Sequence, residues 1–148
     1  MEDEFIIREA KIDDLNDVLN LVHQLSPLKE DQVVDKDKLR GIFEDIIHDS
    51  NYLFYVFEIE GRIVGCGSLL VQLNLSHGGK SYGHIENVVV DKNCRGKGVG
   101  KKLIEYLIEK AKFKNCYKVI LNCEEHNAGF YGKCGLRETG EVEFRIDF

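Results

Sequence analysis

The sequence predicts an α/β fold, and three observations carry that prediction. Segments rich in β-branched and aromatic residues alternate with segments whose apolar residues recur at helical spacing, in the order β-α-α-β-β-β-α-β-α-β-β. A glycine turn, Cys94-Arg95-Gly96-Lys97-Gly98-Val99-Gly100, separates the β-branched run Ile85-Glu86-Asn87-Val88-Val89-Val90 from a helical stretch over residues 101–114. The length of 148 residues, 43% hydrophobic and 31% charged, suits one globular domain over 1–148 that buries a sizeable core.

Each element has its own signal. Phe5-Ile6-Ile7-Arg8-Glu9 reads as a strand. The helix after it aligns Ile12, Leu15, Val18, Leu19, Val22 and Leu25 on one stripe, with Asp13-Asp14 in its first turn, and Ser26-Pro27 ends it. A second helix over 36–48 gathers Leu39, Ile42, Phe43, Ile46 and Ile47 on one face, with Asp35 placed to cap it. Residues 52–59, the turn Glu60-Gly61 and residues 62–75 read as an antiparallel hairpin. A loop over 76–81 leads into the strand before the glycine turn. In the next helix Leu103, Ile104, Leu107, Ile108 and Ala111 form a buried stripe, while Lys101, Lys102, Glu105, Glu109 and Lys112 face water. A strand over 118–122, a short helix over 127–134 and two last strands, at 136–138 and 142–147, complete the order.

Charge and composition exclude several classes. A net charge of −6 argues against a general nucleic-acid or acidic-membrane surface, because such binding depends on Lys and Arg neutralising phosphates. No apolar stretch approaches the roughly 18 residues of a membrane span. The opening Met1-Glu2-Asp3-Glu4 lacks the basic and apolar regions of a signal peptide, so a cytoplasmic location is expected. Five cysteines without a C-x-x-C pair signal neither a zinc site nor a disulfide framework, and Cys66 and Cys123 are expected to be small core residues in apolar strands. His84-x-Glu86 is followed by no Pro-Cys-x-x-Cys, so no metal is implied.

The glycine turn carries the chemistry. Gly96, Gly98 and Gly100 expose consecutive backbone N–H groups, and the following helix adds its unpaired N–H groups and positive dipole end. Such a concavity suits a phosphate or pyrophosphate, although glycine spacing alone also fits an ordinary loop. A mononucleotide loop would end Gly-Lys-Ser/Thr, whereas Gly100 is followed by Lys101-Lys102-Leu103. A dinucleotide fold would place the turn after its first strand, and here it follows the fourth.

Arg95-Gly96-Lys97-Gly98-Val99-Gly100 resembles the Arg/Gln-x-x-Gly-x-Gly/Ala turn with which the GCN5-related N-acetyltransferases grip the pyrophosphate of coenzyme A. The resemblance covers nearly the whole chain, from Ile7-Arg8-Glu9-Ala10 to the last strand. It implies a central twisted mixed sheet with helices on both faces and acetyl-CoA as cosubstrate. Gly83-His84-Ile85-Glu86, Asn115-Cys116-Tyr117-Lys118 and Asn127-x-x-Phe130-Tyr131-x-Lys133-Cys134-Gly135 are similar to one branch of that family. That branch acetylates D-glucosamine 6-phosphate on the way to UDP-N-acetylglucosamine, and its members are short homodimers with the substrate site near the subunit interface.

The resemblance also implies roles. The main chain of Val88, Val89 and Val90 would receive the pantetheine arm, residues Arg95, Gly96, Lys97, Gly98, Val99, Gly100 and Lys101 the pyrophosphate, and Asn127, Tyr131 and Lys133 further parts of the cofactor. The Tyr131 hydroxyl would steady or protonate the departing thiolate, and Glu86 would orient the amine or act as base through water, unless backbone carbonyls and water suffice. The amine would attack directly in a ternary complex, with no acyl group carried by Cys123 or Cys134. Ser26, His77, Glu86, Asn87, Tyr117, Lys118 and Asn122 would line the sugar pocket. Four positions depart from the branch: Asn87 and Asn122 stand for aspartates, Asn74 for a phosphate-binding lysine, and Asp147 for a basic residue. His77, Lys80, Lys118 and Arg145 are the candidate replacement cations, some from a partner subunit. Two alternatives remain open. One is acetylation of another small amine or a protein amine. The other is a non-catalytic acetyl-CoA-binding module, against which Glu86, Asn127 and Tyr131 speak.

Overall fold

The computed structural model describes residues 4–148. Five strands form one sheet in the order β1 (Phe5–Glu9), β2 (Tyr52–Ile59), β3 (Arg62–Gln72), β4 (Ser81–Val90) and β5 (Cys116–Ile120). The first four are antiparallel to their neighbours, and β4 and β5 are parallel. A parallel pair needs a crossover, and helix α3 (Val99–Phe113) supplies it. The sheet is therefore mixed, as expected.

The β2–β3 hairpin closes through Glu60 and Gly61, with φ of 49° and 76°, and Ile59 pairs with Arg62. Two positive φ angles in a two-residue loop match the strand twist. Along β2 the side chains then alternate. Phe54 and Val56 join a core with Val18 and Leu21 of α1 (Leu15–Leu25) and Phe43 of α2 (Lys36–His48), while Tyr55 joins Ile104, Leu107 and Ala111 of α3 on the opposite face. The Asp35 carboxylate caps α2 by accepting from the Lys38 N–H at 3.0 Å.

Several expectations need correction. The first helix begins with a separate 3₁₀ turn, Ile12–Asp14, and its buried residues are Val18 and Leu21 rather than a stripe running on to Leu25, which is 52% exposed. Asp14, in that 3₁₀ turn, is 7% exposed. It takes a forked pair of bonds from the Arg8 guanidinium at 2.8 and 3.0 Å, while Arg8 Nε donates to Glu58 at 3.0 Å. Burial pushes the Asp14 carboxyl up, but the bonds from Arg8 and the Lys11 N–H outweigh it and hold the carboxyl below its ordinary range. Strand β3 stops at Gln72, leaving Leu73 and Leu75 exposed, and β5 covers 116–120 rather than 118–122. Cys123 consequently lies outside the strand and is exposed, whereas Cys66 is fully buried.

The two last strands do not form. Residues 136–148 contain no strand, and Val142, Phe144, Ile146 and Phe148 are 73% to 115% exposed. The alternation with Glu141, Glu143, Arg145 and Asp147 has strand period, but a strand also needs an edge to pair with, and within the chain this segment takes none.

Candidate active site

The site begins where the sheet opens. Strands β4 and β5 pair only at Ser81 with Cys116, Gly83 with Val119 and His84 with Ile120. Beyond that point, among the described residues, β4 from Ile85 to Val90 has no strand partner on this side. Its unpaired main chain is an edge to which an extended ligand can add like a strand.

At the end of that edge lies the glycine turn. Its approach is fixed by Asp91, which accepts from Asn93 N–H with its side chain and from Cys94 N–H with its carbonyl, both at 2.8 Å. Gly96 and Gly98 both have φ of 80°, a region that L side chains rarely adopt, and Gly98 is the N-cap of α3. The first N–H groups of a 15-residue helix thus face the turn, with the exposed side chains of Arg95, Lys97 and Lys101 around it. Arg95 Nε donates to the Val90 carbonyl at 3.2 Å, and the Gln24 side chain of α1 accepts from Lys92 N–H at 3.0 Å, bringing the end of α1, with the exposed Ser26, beside the loop. Val99 is 3% exposed and packs into the core near Leu103, so only its backbone is available to a ligand. An open strand edge leading into an amide concavity fits pantetheine followed by pyrophosphate.

Helix α4 (Ala128–Lys133) docks on this turn. A Cβ on Gly100 would lie 3.1 Å from the Phe130 ring, so the absence of a side chain there lets α4 approach the start of α3. Tyr131 is half-buried beside Cys134 and Leu136. Burial pushes its hydroxyl up from the ordinary value, and the thiols of Cys123 and Cys134 add to the shift, so it stays a protonated donor at neutral pH. Asn127 is the exposed N-cap of α4, four residues before Tyr131 and on the same side of the turn, and Lys133 is exposed at the other end.

Beyond the edge and the turn, a group of side chains gathers around β4 and the start of β5. Tyr82, His84 and Glu86 follow one another on one face of β4, and Glu86 is exposed. His77 stacks on Tyr117 with ring centroids 3.9 Å apart, and Lys118 Nζ sits 4.9 Å from the Tyr82 ring and 5.4 Å from the Tyr117 ring. His84 Nε2 lies 2.9 Å from Gln72 Oε1. The structure thus brings His77, Tyr117 and Lys118 together with Tyr82 and His84, which the sequence reading did not place among the site residues. Period-two spacing from Tyr82 to Glu86 was the signal that would have found them.

Other expected residues stand elsewhere. Asn74 closes its own loop, donating to Ser76 O at 3.2 Å, Ser76 Oγ at 2.9 Å and Lys80 O at 3.4 Å. Asn122 is exposed in the loop after β5, and Lys80 is exposed before β4. Arg145 pairs with Glu143 at 3.3 Å on the exposed C-terminal segment, which also carries Asp147. Asn87 turns its side chain toward β3, where Nδ2 donates to Ser68 Oγ at 3.2 Å. Among the described residues no group of three His, Cys, Asp or Glu is placed to hold a metal.

Comparison with known proteins agrees with this geometry. The model of the acetyltransferase (GNAT) family matches residues 16–136. A glucosamine 6-phosphate N-acetyltransferase of Trypanosoma brucei brucei is 49% identical over 87 residues, which are 59% of this chain and 58% of that protein. The Arabidopsis thaliana protein of the same name is 35% identical over 139 residues, 92% of each chain. The crystal structure of glucosamine-6-phosphate N-acetyltransferase from Arabidopsis thaliana superposes with a TM-score of 0.86 at 33% identity, over 98% of this chain and 99% of that one. With the sheet order, the open β4 edge and the glycine turn in place, the chain belongs to the acetyltransferase (GNAT) family, whose cosubstrate is acetyl-CoA.

Proposed function

We propose that this chain is a single-domain enzyme that acetylates the amine of D-glucosamine 6-phosphate, giving N-acetylglucosamine 6-phosphate. One observation carries the reading. The cluster of His77, Tyr117 and Lys118 lies on the face of β4 that holds Glu86, next to an edge and turn suited to coenzyme A, in a chain 35% identical across 92% of its length to a protein named for this reaction. Acetyl-CoA supplies a thioester carbonyl open to direct attack by the amine. The main chain of Val88, Val89 and Val90 orients the pantetheine, and the turn N–H groups with Arg95, Lys97 and Lys101 hold the pyrophosphate charge. Asn127 and Lys133 border the same cleft. Glu86 orients the amine and takes its proton through water, and the Tyr131 hydroxyl, held protonated by burial, donates to the departing thiolate. Of the two candidate thiols, Cys134 is kept neutral by burial and is a poor nucleophile, which favours direct transfer over an acyl-enzyme on it.

Lys118, preset over two tyrosine rings, and His77 take the sugar phosphate, with Ser26 and Asn122 toward the hydroxyls. The enzyme acts as a homodimer in the cytoplasm. The exposed alternating segment 141–148 supports the dimer, because its apolar side chains need a second copy to cover them, and it carries Arg145 as a cation one subunit can lend the other.

Isotope-labelled acetyl-CoA incubated with glucosamine 6-phosphate, glucosamine, spermidine and a lysine peptide tests the reading. Labelled N-acetylglucosamine 6-phosphate, with initial-rate lines that intersect, is the expected result. Parallel lines would indicate an acyl-enzyme, and label on another amine would replace the substrate.

A further inference from the structure

Strand β4 carries a bulge at the point where the sheet opens. Cys66 pairs with Val89 and Ser68 with Glu86, so Gly67 alone faces both Asn87 and Val88. Asn87 has φ of 55°, which asparagine tolerates better than most residues. The extra residue also resets the faces of the strand, since Ile85 belongs to the core against α3 and Val89 to the core against α1 and α2.

The β3 residues flanking Gly67 are Cys66 and Ser68, both 0% exposed. Ser68 Oγ donates to the Glu86 carbonyl at 3.0 Å, the Cys66 thiol donates to the Asn87 carbonyl at 3.5 Å, and Asn87 Nδ2 donates to Ser68 Oγ at 3.2 Å. A serine hydroxyl has one proton. With that proton on the Glu86 carbonyl, Ser68 can only accept from its other neighbour, so residue 87 must bring a donor. An amide does so, and an ionised carboxylate does not. The chain from Asn87 amide to Ser68 hydroxyl to Glu86 carbonyl therefore has a fixed direction, with Nδ2 inward and Oδ1 left as the free acceptor.

We propose that Ser68, acting through Asn87, is a positioning residue for acetyl transfer: the pair locks the bulge, so that the Glu86 carboxylate and the main chain of Asn87 and Val88 keep one geometry at the mouth of the cleft. This rests on β4 being the strand at which the acetyl group is transferred. A hydroxyl needed only for packing in an apolar site would be replaceable by a methyl group, whereas a bridging hydroxyl leaves a buried carbonyl short of a donor when it is lost.

The test compares Ser68→Ala, Asn87→Asp and the double variant by steady-state kinetics, coenzyme A calorimetry and amide hydrogen exchange. Each single change is expected to lower kcat about tenfold, with the KM for the amine and the Kd for coenzyme A within about twofold. The double variant should be no slower than Asn87→Asp alone, because both changes break one chain. Exchange at residues 86–88 should rise about tenfold in Ser68→Ala, with β2 and α1 unchanged. Wild-type kcat in Ser68→Ala, losses that multiply in the double variant, or faster exchange spread over the whole sheet would each overturn the proposal. Should Ser68→Ala not fold, Asn87→Asp carries the same test. A wild-type protein inert toward every amine, with exchange at 86–88 still responding to Ser68→Ala, would sink the substrate reading and leave the lock standing; normal turnover with unresponsive exchange would do the reverse.

Discussion

The two halves of the proposed active site are made of different material. The cofactor half is mostly backbone and contiguous in sequence: one strand edge, one glycine turn and the start of one helix, all within residues 85–101. The amine half is side chains, assembled from the His77 loop, alternate positions of β4 and the start of β5. A backbone site tolerates changes of side chain but not of conformation, and a side-chain patch does the opposite. Substrate identity can therefore drift on the amine side while the cofactor half stays unchanged, and Asn74 and Asn122 both lie outside residues 85–101.

The largest expected effect lies at a side chain of α4 that borders the cofactor half. Changing Tyr131→Phe should lower kcat roughly 100-fold, with coenzyme A affinity by calorimetry within twofold, because only the proton donor is lost. A normal kcat would remove Tyr131 from the chemistry. Next comes Gly98→Val, which puts a β-branched residue at φ of 80° and should weaken coenzyme A binding roughly 30-fold by straining the turn. On the amine side, Lys118→Ala should raise the KM for the phosphorylated sugar about tenfold, leaving that for glucosamine and the Kd for coenzyme A unchanged. Equal effects on both sugars would show that Lys118 does not read the phosphate.

The smallest effect concerns the frame that both halves share. Burial pushes the Cys66 thiol and the Tyr55 hydroxyl up, each to about 12, from ordinary values of 9.0 and 10.0. Below about pH 8 both groups are essentially neutral in the folded and unfolded chain, and stability does not change. Above it the unfolded chain releases these protons more readily, so stability should fall as the pH climbs toward 12, by up to about 1.4 kcal/mol per pH unit for the fully buried Cys66. Thermal melts between pH 8 and 11 would show this slope, and a flat profile would contradict it.

The same contrast explains how much was legible in the sequence. The glycine turn, the α3 stripe and the β2–β3 hairpin announce themselves through local spacing, and the structure agrees with them. The half-buried Arg8–Asp14–Glu58 group was not legible, because it joins residues up to 50 positions apart and Asp14 looks like any first-turn acid. The side-chain bonds at the β4 bulge were hidden for the same reason: the register of β3 against β4 decides that Ser68 meets Asn87. The C-terminal segment failed differently. Its alternation has strand period and led to the expectation of a strand, but periodicity does not reveal whether an edge is at hand.

The most direct measurement of the central claim is the ratio of kcat/KM for glucosamine 6-phosphate to that for unphosphorylated glucosamine, with acetyl-CoA saturating. If the cluster at His77, Tyr117 and Lys118 receives an amino-sugar phosphate, the ratio should be about 100 or more, because only the phosphorylated sugar can form a charge-assisted hydrogen bond to Lys118. A ratio near one, or faster turnover of an unrelated amine, would contradict it.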